Sequence, residues 1–191
     1  MKDEEFFQKW KLAESALMAR EFTMALERYK ELLYSKHDLS THALAEIGNV
    51  LELTGEYKGA RYFYEAAIDE LGHEGAHERL ANLLVSDLLG APDYRRAYEL
   101  LKKVEQTRNP FVHLMLGRLY KGGKGMEKDL GKAKEHFLKS YRLGNLIALR
   151  HIAHIVKEEG HLCRAIMLEI KATRMIWPIW RRDSEDPRIS G

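Results

Sequence analysis

The stretch FVHLMLGRLYKGGKGMEKDLGKAKEHFLKSYRLGN, residues 111 to 145, decides the fold. Its first half sets Leu114, Leu116, Gly117, Leu119 and Tyr120 in a short apolar pattern. Its second half spaces Ala133, Phe137, Leu138 and Tyr141 by three and four. Both patterns predict amphipathic helices, because side chains three and four apart share one helical face. Between them lies GGKGMEKD, whose glycines do not readily continue a helix. The stretch is therefore expected to be one helix-turn-helix hairpin. A lone hairpin cannot bury its own apolar faces, so further copies are required.

The rest of the chain supplies them. Gly117 and Ala133 stand sixteen residues apart, and so do Ala81 and Ala97, with the two pairs offset by 36. Three copies have a tighter turn: Ala13 and Ala25, Gly48 and Ala60, and Ala153 and Ala165 are each separated by twelve. Small residues at both positions fit paired helices whose backbones approach closely, where a large side chain would wedge them apart.

These residues also carry a family resemblance. Leu44, Ile47, Gly48, Leu51, Tyr57, Ala60, Tyr64 and Ala67 fall where the tetratricopeptide repeat (TPR) places its signature. Leu116, Gly117, Tyr120, Gly123, Gly125, Lys128, Asp129, Lys132, Ala133 and Gly144 resemble the Sel-one-like repeat (SLR), a relative with a longer internal turn. With the weaker copies, the resemblance covers about residues 5 to 176. It implies an all-α, right-handed α-solenoid of about five antiparallel helix hairpins that binds other proteins and has no catalytic residues of its own.

The expected boundaries place hairpins at about 4–35, 41–72, 75–106, 110–144 and 146–176 in one domain, 1–182, with a disordered tail at 183–191. Ser40 or Thr41 is expected to cap the second hairpin, and Pro110 suits the first turn of the fourth. Pro178 is expected to end or kink the last helix, leaving Trp177, Ile179 and Trp180 to fold back over the last repeat. The alternative for the segment Trp177 to Arg182 is an interfacial anchor.

Composition agrees with a helical domain. The 191 residues are 45% hydrophobic and 31% charged, with four prolines, and no periodic strand pattern stands out. The single cysteine, Cys163, rules out an internal disulfide framework and suits a reducing compartment. The acidic, charge-broken start MKDEEFFQKWK does not read as a signal peptide. No apolar run reaches the roughly 18 residues that a membrane span needs. A cytoplasmic setting is expected. The formal net charge of +2 conceals an asymmetry: residues 1–110 carry −5, residues 111–182 carry +9, and the last nine carry −2. A basic half on a near-neutral chain points to an acidic partner.

Three constellations resemble chemical sites, and none has the context its chemistry requires. His73, Glu74 and His77 spell the zincin pattern, but His73 falls in the turn after Gly72 and Gly75 follows, so no continuous helix joins the histidines. His151, His154, His161 and Cys163 are potential zinc ligands in a spacing that matches no standard motif, and a lone cysteine is more often a small core residue. GGKG at 122–125 lacks both the preceding strand and the Lys-Ser/Thr ending of a phosphate loop. No catalytic residue, cofactor or metal is expected.

The remaining candidate is the groove that the first helix of each hairpin lines in TPR-type solenoids. Carried over by register, it comprises Asn49, Glu52, Asn82, Arg118, Lys121, Arg150, His154 and Lys157. The last five are basic or become so on protonation, which would suit an acidic peptide or helix. Trp10 occupies a position where the TPR carboxylate clamp wants a basic residue, so chaperone-tail binding is not expected. The leading expectation is a non-enzymatic scaffold or adaptor. The alternatives are an immunity-type inhibitor that plugs one toxin or enzyme, and a helical-repeat nucleic-acid binder; the second lacks a regular basic residue per repeat.

Overall fold

The computed structural model describes the backbone of residues 1–182 and the side chains of residues 1–175. Among these there are ten α-helices, one short 3-10 turn at Ser40–His42, and no strand. In chain order the helices are α1 (Asp3–Met18), α2 (Phe22–Leu33), α3 (Ala43–Leu53), α4 (Tyr57–Leu71), α5 (Glu74–Val85), α6 (Tyr94–Lys103), α7 (Pro110–Gly122), α8 (Leu130–Arg142), α9 (Ile147–Glu158) and α10 (Leu162–Arg182). The described chain divides into two compact units, one ending at Pro92 and the other starting at Asp93. The first holds the hairpins α1/α2 and α3/α4 together with α5. The second holds α6 with the hairpins α7/α8 and α9/α10. The expected hairpin at 75–106 thus gives one helix to each unit. By formal charge the first unit carries −7, and residues 93–182 carry +11.

The paired small residues mark the closest approach within a hairpin. A methyl group at Gly117 would come within 2.6 Å of the Phe137 ring, and one at Gly48 within 2.7 Å of the Tyr64 ring. Phe137 and Tyr64 are both fully buried and stand four residues after the small residue of the second helix, so each ring is seated in the gap that the missing side chain leaves. Tyr29 holds the same place after Ala25 in the first hairpin and is buried as well. The Tyr64 hydroxyl donates to Glu52 at 2.6 Å, which satisfies the polar end of a buried ring.

The turns are built differently in the short and long hairpins. In α1/α2 the turn is made by Arg20, held at φ 60°, a left-handed conformation unusual for a side chain of its size. In the long α7/α8 turn, the Lys124 amide donates to the Leu119 carbonyl at 3.2 Å and the Asp129 amide to the Tyr120 carbonyl at 3.0 Å. Asp129 then caps α8 by accepting from the Lys132 amide at 2.9 Å. Gly125, at φ 79°, lies so close to α6 that a methyl group there would sit 2.6 Å from the Tyr94 backbone. The adjoining Lys124 ammonium lies 4.6 Å over the Tyr94 ring and donates to its hydroxyl. The glycine-rich turn is therefore a docking strap onto α6 as well as a reversal.

Several local expectations need correction. Neither Ser40 nor Thr41 caps α3; they form the 3-10 turn, and α3 starts after His42 without a side-chain cap. Asn109 does cap α7, with Pro110 in the first turn. Of the two outcomes expected at Pro178, an end or a kink, the end does not occur: α10 runs on to Arg182. Proline removes one helix hydrogen bond and bends the axis, a cost that this 21-residue helix absorbs without ending. The fold-back of Trp177, Ile179 and Trp180 and the tail at 183–191 lie outside the described residues. Cys163, expected in the core, is exposed.

The second unit also buries a polar cluster. His113 in α7 and His136 in α8 are 4% and 5% exposed, with their Nδ1 atoms 3.2 Å apart, so one of the two nitrogens donates to the other. His136 Nε2 stands 3.5 Å from a Glu105 carboxylate oxygen, and its ring stacks on Tyr120. Burial pushes the His136 pKa down to about 4; Glu105 opposes the shift, and His113, Lys139 and Lys102 reinforce it. Burial lowers His113 too.

Two predictions follow from this packing. Gly125→Ala should destabilise by more than about 2 kcal/mol, because left-handed strain of about 1–2 kcal/mol adds to a collision with backbone that cannot rotate away. Gly144→Ala, at φ 102° with open space around it, should show the strain alone; equal losses of melting temperature in the two variants would contradict the strap. Stability should also depend on pH. With folded-state values below the ordinary 6.5, the two histidines favour the unfolded chain as protons are added, so their contribution is complete above about 6.5 and is lost on descent toward about 4. Denaturant unfolding at pH 7 and pH 5 should show the drop, and His136→Gln should reduce it. A flat profile would exclude the cluster as its source.

Candidate functional site

Of the eight groove candidates, three lie in the first unit, and they form no common basic or acidic patch. Asn49 is half-buried, and its amide reaches Glu46 at 3.4 Å. Glu52 accepts from Tyr64 and stands 3.7 Å from Arg79, so the fold itself occupies its carboxylate. Asn82 is exposed. Trp10, at the clamp position, donates to Glu14 at 3.0 Å and meets the Tyr29 ring edge-on, which makes it part of the packing of α1 on α2.

The five remaining candidates lie on α7 and α9 of the second unit. Arg118, Arg150, His154 and Lys157 are exposed and Lys121 is half-buried. Lys121 reaches across from α7 to Glu158 of α9 at 3.4 Å, which ties the two helices side by side. Arg150 stands 3.7 Å from Glu169 of α10. Among the described residues, Arg118, His154 and Lys157 make no ion pair.

The electrostatics of His151 show that four of these residues converge. His151 is half-buried on α9, its ring stacked on Phe137 with centroids 4.8 Å apart. Burial first, and then the positive charges of Arg118, Lys121, His154 and Arg150, push its pKa down to about 4. Burial is the larger cause, and the charges that add to it come from both α7 and α9. The register placed these groups on corresponding helices; their convergence on one face depends on how tightly α7 and α9 lie against α8.

Sequence reading missed the pairing of His113 with His136. The signal was present: His113 is four residues before Gly117 and His136 three after Ala133, positions that face each other once the hairpin closes.

The structure places the three motif-like constellations as follows. His73 caps α5, accepting from the Ala76 amide at 3.2 Å, while buried His77 donates from Nδ1 to the His73 carbonyl at 3.0 Å. The two histidines of the zincin pattern are therefore tied into a helix start. His151 faces Phe137, whereas Cys163 is exposed on α10. Among the described residues no three His, Cys, Asp or Glu side chains gather as metal ligands would. Gly122 ends α7 and Gly123 adopts the left-handed cap conformation. No helix among the described residues is long and apolar enough to cross a membrane.

No protein-family model and no curated protein matches the chain. Solved structures do. A Sel1 repeat protein from Oxalobacter formigenes superposes with a TM-score of 0.68 at 17% identity, over 86% of this chain and 69% of that one. A protective antigen of uropathogenic Escherichia coli strains that displays an SLR fold superposes with a TM-score of 0.74 at 19% identity; the match takes in 89% of this chain but only 38% of that protein. MamA from Desulfovibrio magneticus RS-1 superposes with a TM-score of 0.68 at 19% identity, over 97% of this chain and 99% of that one. At these identities the likeness concerns architecture, and it agrees with the all-helical hairpins described above: the chain has the α-solenoid repeat fold of TPR/SLR-like proteins.

Proposed function

We propose that the chain is a non-enzymatic protein-interaction scaffold whose second unit holds an acidic peptide, or the acidic face of a partner's helix, on α7 and α9. Folds of this kind generally serve as protein-binding scaffolds, which supports the first half of the reading. The convergence of Arg118, Lys121, Arg150 and His154 around His151 carries the second half. Acidic side chains laid across that face would meet the exposed Arg118 guanidinium directly and would compete with Glu169 for Arg150 and with Glu158 for Lys121. Asn49, Glu52 and Asn82 have no part in this version of the site, Glu52 because Tyr64 and Arg79 already engage it. The one cysteine, exposed and unpaired, suits a reducing, cytoplasmic setting.

The test is affinity purification from the native source, followed by titration of the captured partner's acidic segment. Arg118→Glu combined with Arg150→Glu should weaken binding by roughly tenfold or more and reduce its salt dependence, as expected when exposed cations steer an acidic ligand. Undiminished binding by the double variant would reject the face. Salt-sensitive retention of RNA in place of a protein would reject the acidic-peptide reading.

A further inference from the structure

The outer face of α8 shows how one hairpin seats the next. Counted from Ala133, the residues at −3, +5 and +8 are Leu130, Leu138 and Tyr141, and all three pack against the core that α9 and α10 complete. At +1, Lys134 holds Glu159, in the turn after α9, at 2.9 Å. The same positions counted from Ala165 in α10 are Leu162, Ile166, Ile170 and Thr173. The three aliphatic residues are 54%, 50% and 53% exposed, and Met167 beside them is 70% exposed. Among the described residues, α10 thus presents a first-helix seat with no helix on it. Its border is basic: Arg164, Lys171 and Arg174 are exposed, whereas Glu169 is turned toward Arg150.

The start of the chain does not offer the complement. In interior hairpins the residues at −5, −1 and +2 from the first small residue are apolar and buried: Ala43, Ile47 and Val50 in α3, and Ala148, Ile152 and Ile155 in α9. In α1 they are Gln8, Leu12 and Ser15, all exposed. Two polar residues out of three close that end of the repeat array to a neighbour. A second copy's α1 therefore lacks the stripe that α10 needs. A second copy's α10 has the stripe but would bring its arginines and lysine against their counterparts. Residues 183–191 hold one large aliphatic side chain, Ile189.

We propose that the outer face of α10 is a docking seat for an amphipathic helix of a partner protein, with aliphatic residues at three- and four-residue spacing and acidic residues beside them. The aliphatic stripe would cover Leu162, Ile166 and Ile170, and the acidic flank would meet Arg164, Lys171 and Arg174. The seat lies outside the α7/α9 face and stands or falls without it.

The probe is a fluorescein-labelled synthetic helix with leucines on one face and glutamates flanking them, titrated against the purified chain by anisotropy. A control helix keeps the leucines and replaces the glutamates with lysines. The acidic helix should bind at least roughly tenfold tighter than the control. Ile166→Asp with Ile170→Asp should remove that binding while circular dichroism stays unchanged, since both side chains are exposed. All titrations use the Arg118→Glu, Arg150→Glu background, in which the α7/α9 face is disabled, so that the binding read there belongs to this seat. Absence of binding, equal binding of the lysine helix, or binding that survives the aspartate pair would overturn the proposal. So would sedimentation showing a dimer of the chain that Ile170→Asp converts to monomer, because the occupant would then be a second copy.

Discussion

Each strong hairpin turns on a ring filling the space of an absent side chain. Phe137 against Gly117 and Tyr64 against Gly48 set how closely the paired backbones approach, and the other contacts of the hairpin are arranged around that distance. A glycine inside a helix costs about 1 kcal/mol relative to alanine. Full burial of an aromatic ring returns more than that, about 1.5–3 kcal/mol by transfer, so the helix tolerates the glycine where the ring needs it. The basic face depends on the same spacing. Lys121 can reach Glu158, and Arg118 can bear on His151, only because α7 and α9 both lie closely against α8.

The fold was legible because this contact leaves a mark at fixed intervals. Small residues twelve or sixteen apart, followed four later by an aromatic residue or leucine in the first four copies, are a pattern that no strand or irregular loop would repeat. Helix ends were less legible where they depend on tertiary context. Ser40 and Thr41 have good capping side chains, yet the chain makes a 3-10 turn there and enters α3 uncapped. Pro178 is a strong local stop signal, and α10 overrides it. Cysteine is a residue type common in cores, yet Cys163 is exposed near the start of α10.

The candidate site was legible in half. Register alone placed the candidates on the first helices of their hairpins, because the first helix of each repeat is identifiable from its small residue. It did not reveal which polar residues the fold consumes. Glu52 looked like a ligand contact and serves the buried end of Tyr64 and the pairing with Arg79. His113 and His136 went unnoticed because each alone resembles a chance polar residue on an apolar face; only the closed hairpin brings their nitrogens to 3.2 Å. The charge asymmetry was visible from composition, but its concentration around His151 needed the packing of two helices.

The ring-in-gap contact is tested most directly by a double-mutant cycle on Gly117 and Phe137, read by equilibrium unfolding in denaturant. Gly117→Ala alone should destabilise by about 1–3 kcal/mol, as overpacking does, even though alanine is the better helix former. Combined with Phe137→Leu, which shortens the opposing side chain, the same alanine should cost less than it does alone, giving a coupling of roughly 1 kcal/mol or more. If Gly117→Ala stabilises the protein, or if the two changes simply add, the hairpin is not held by the ring seated on the glycine.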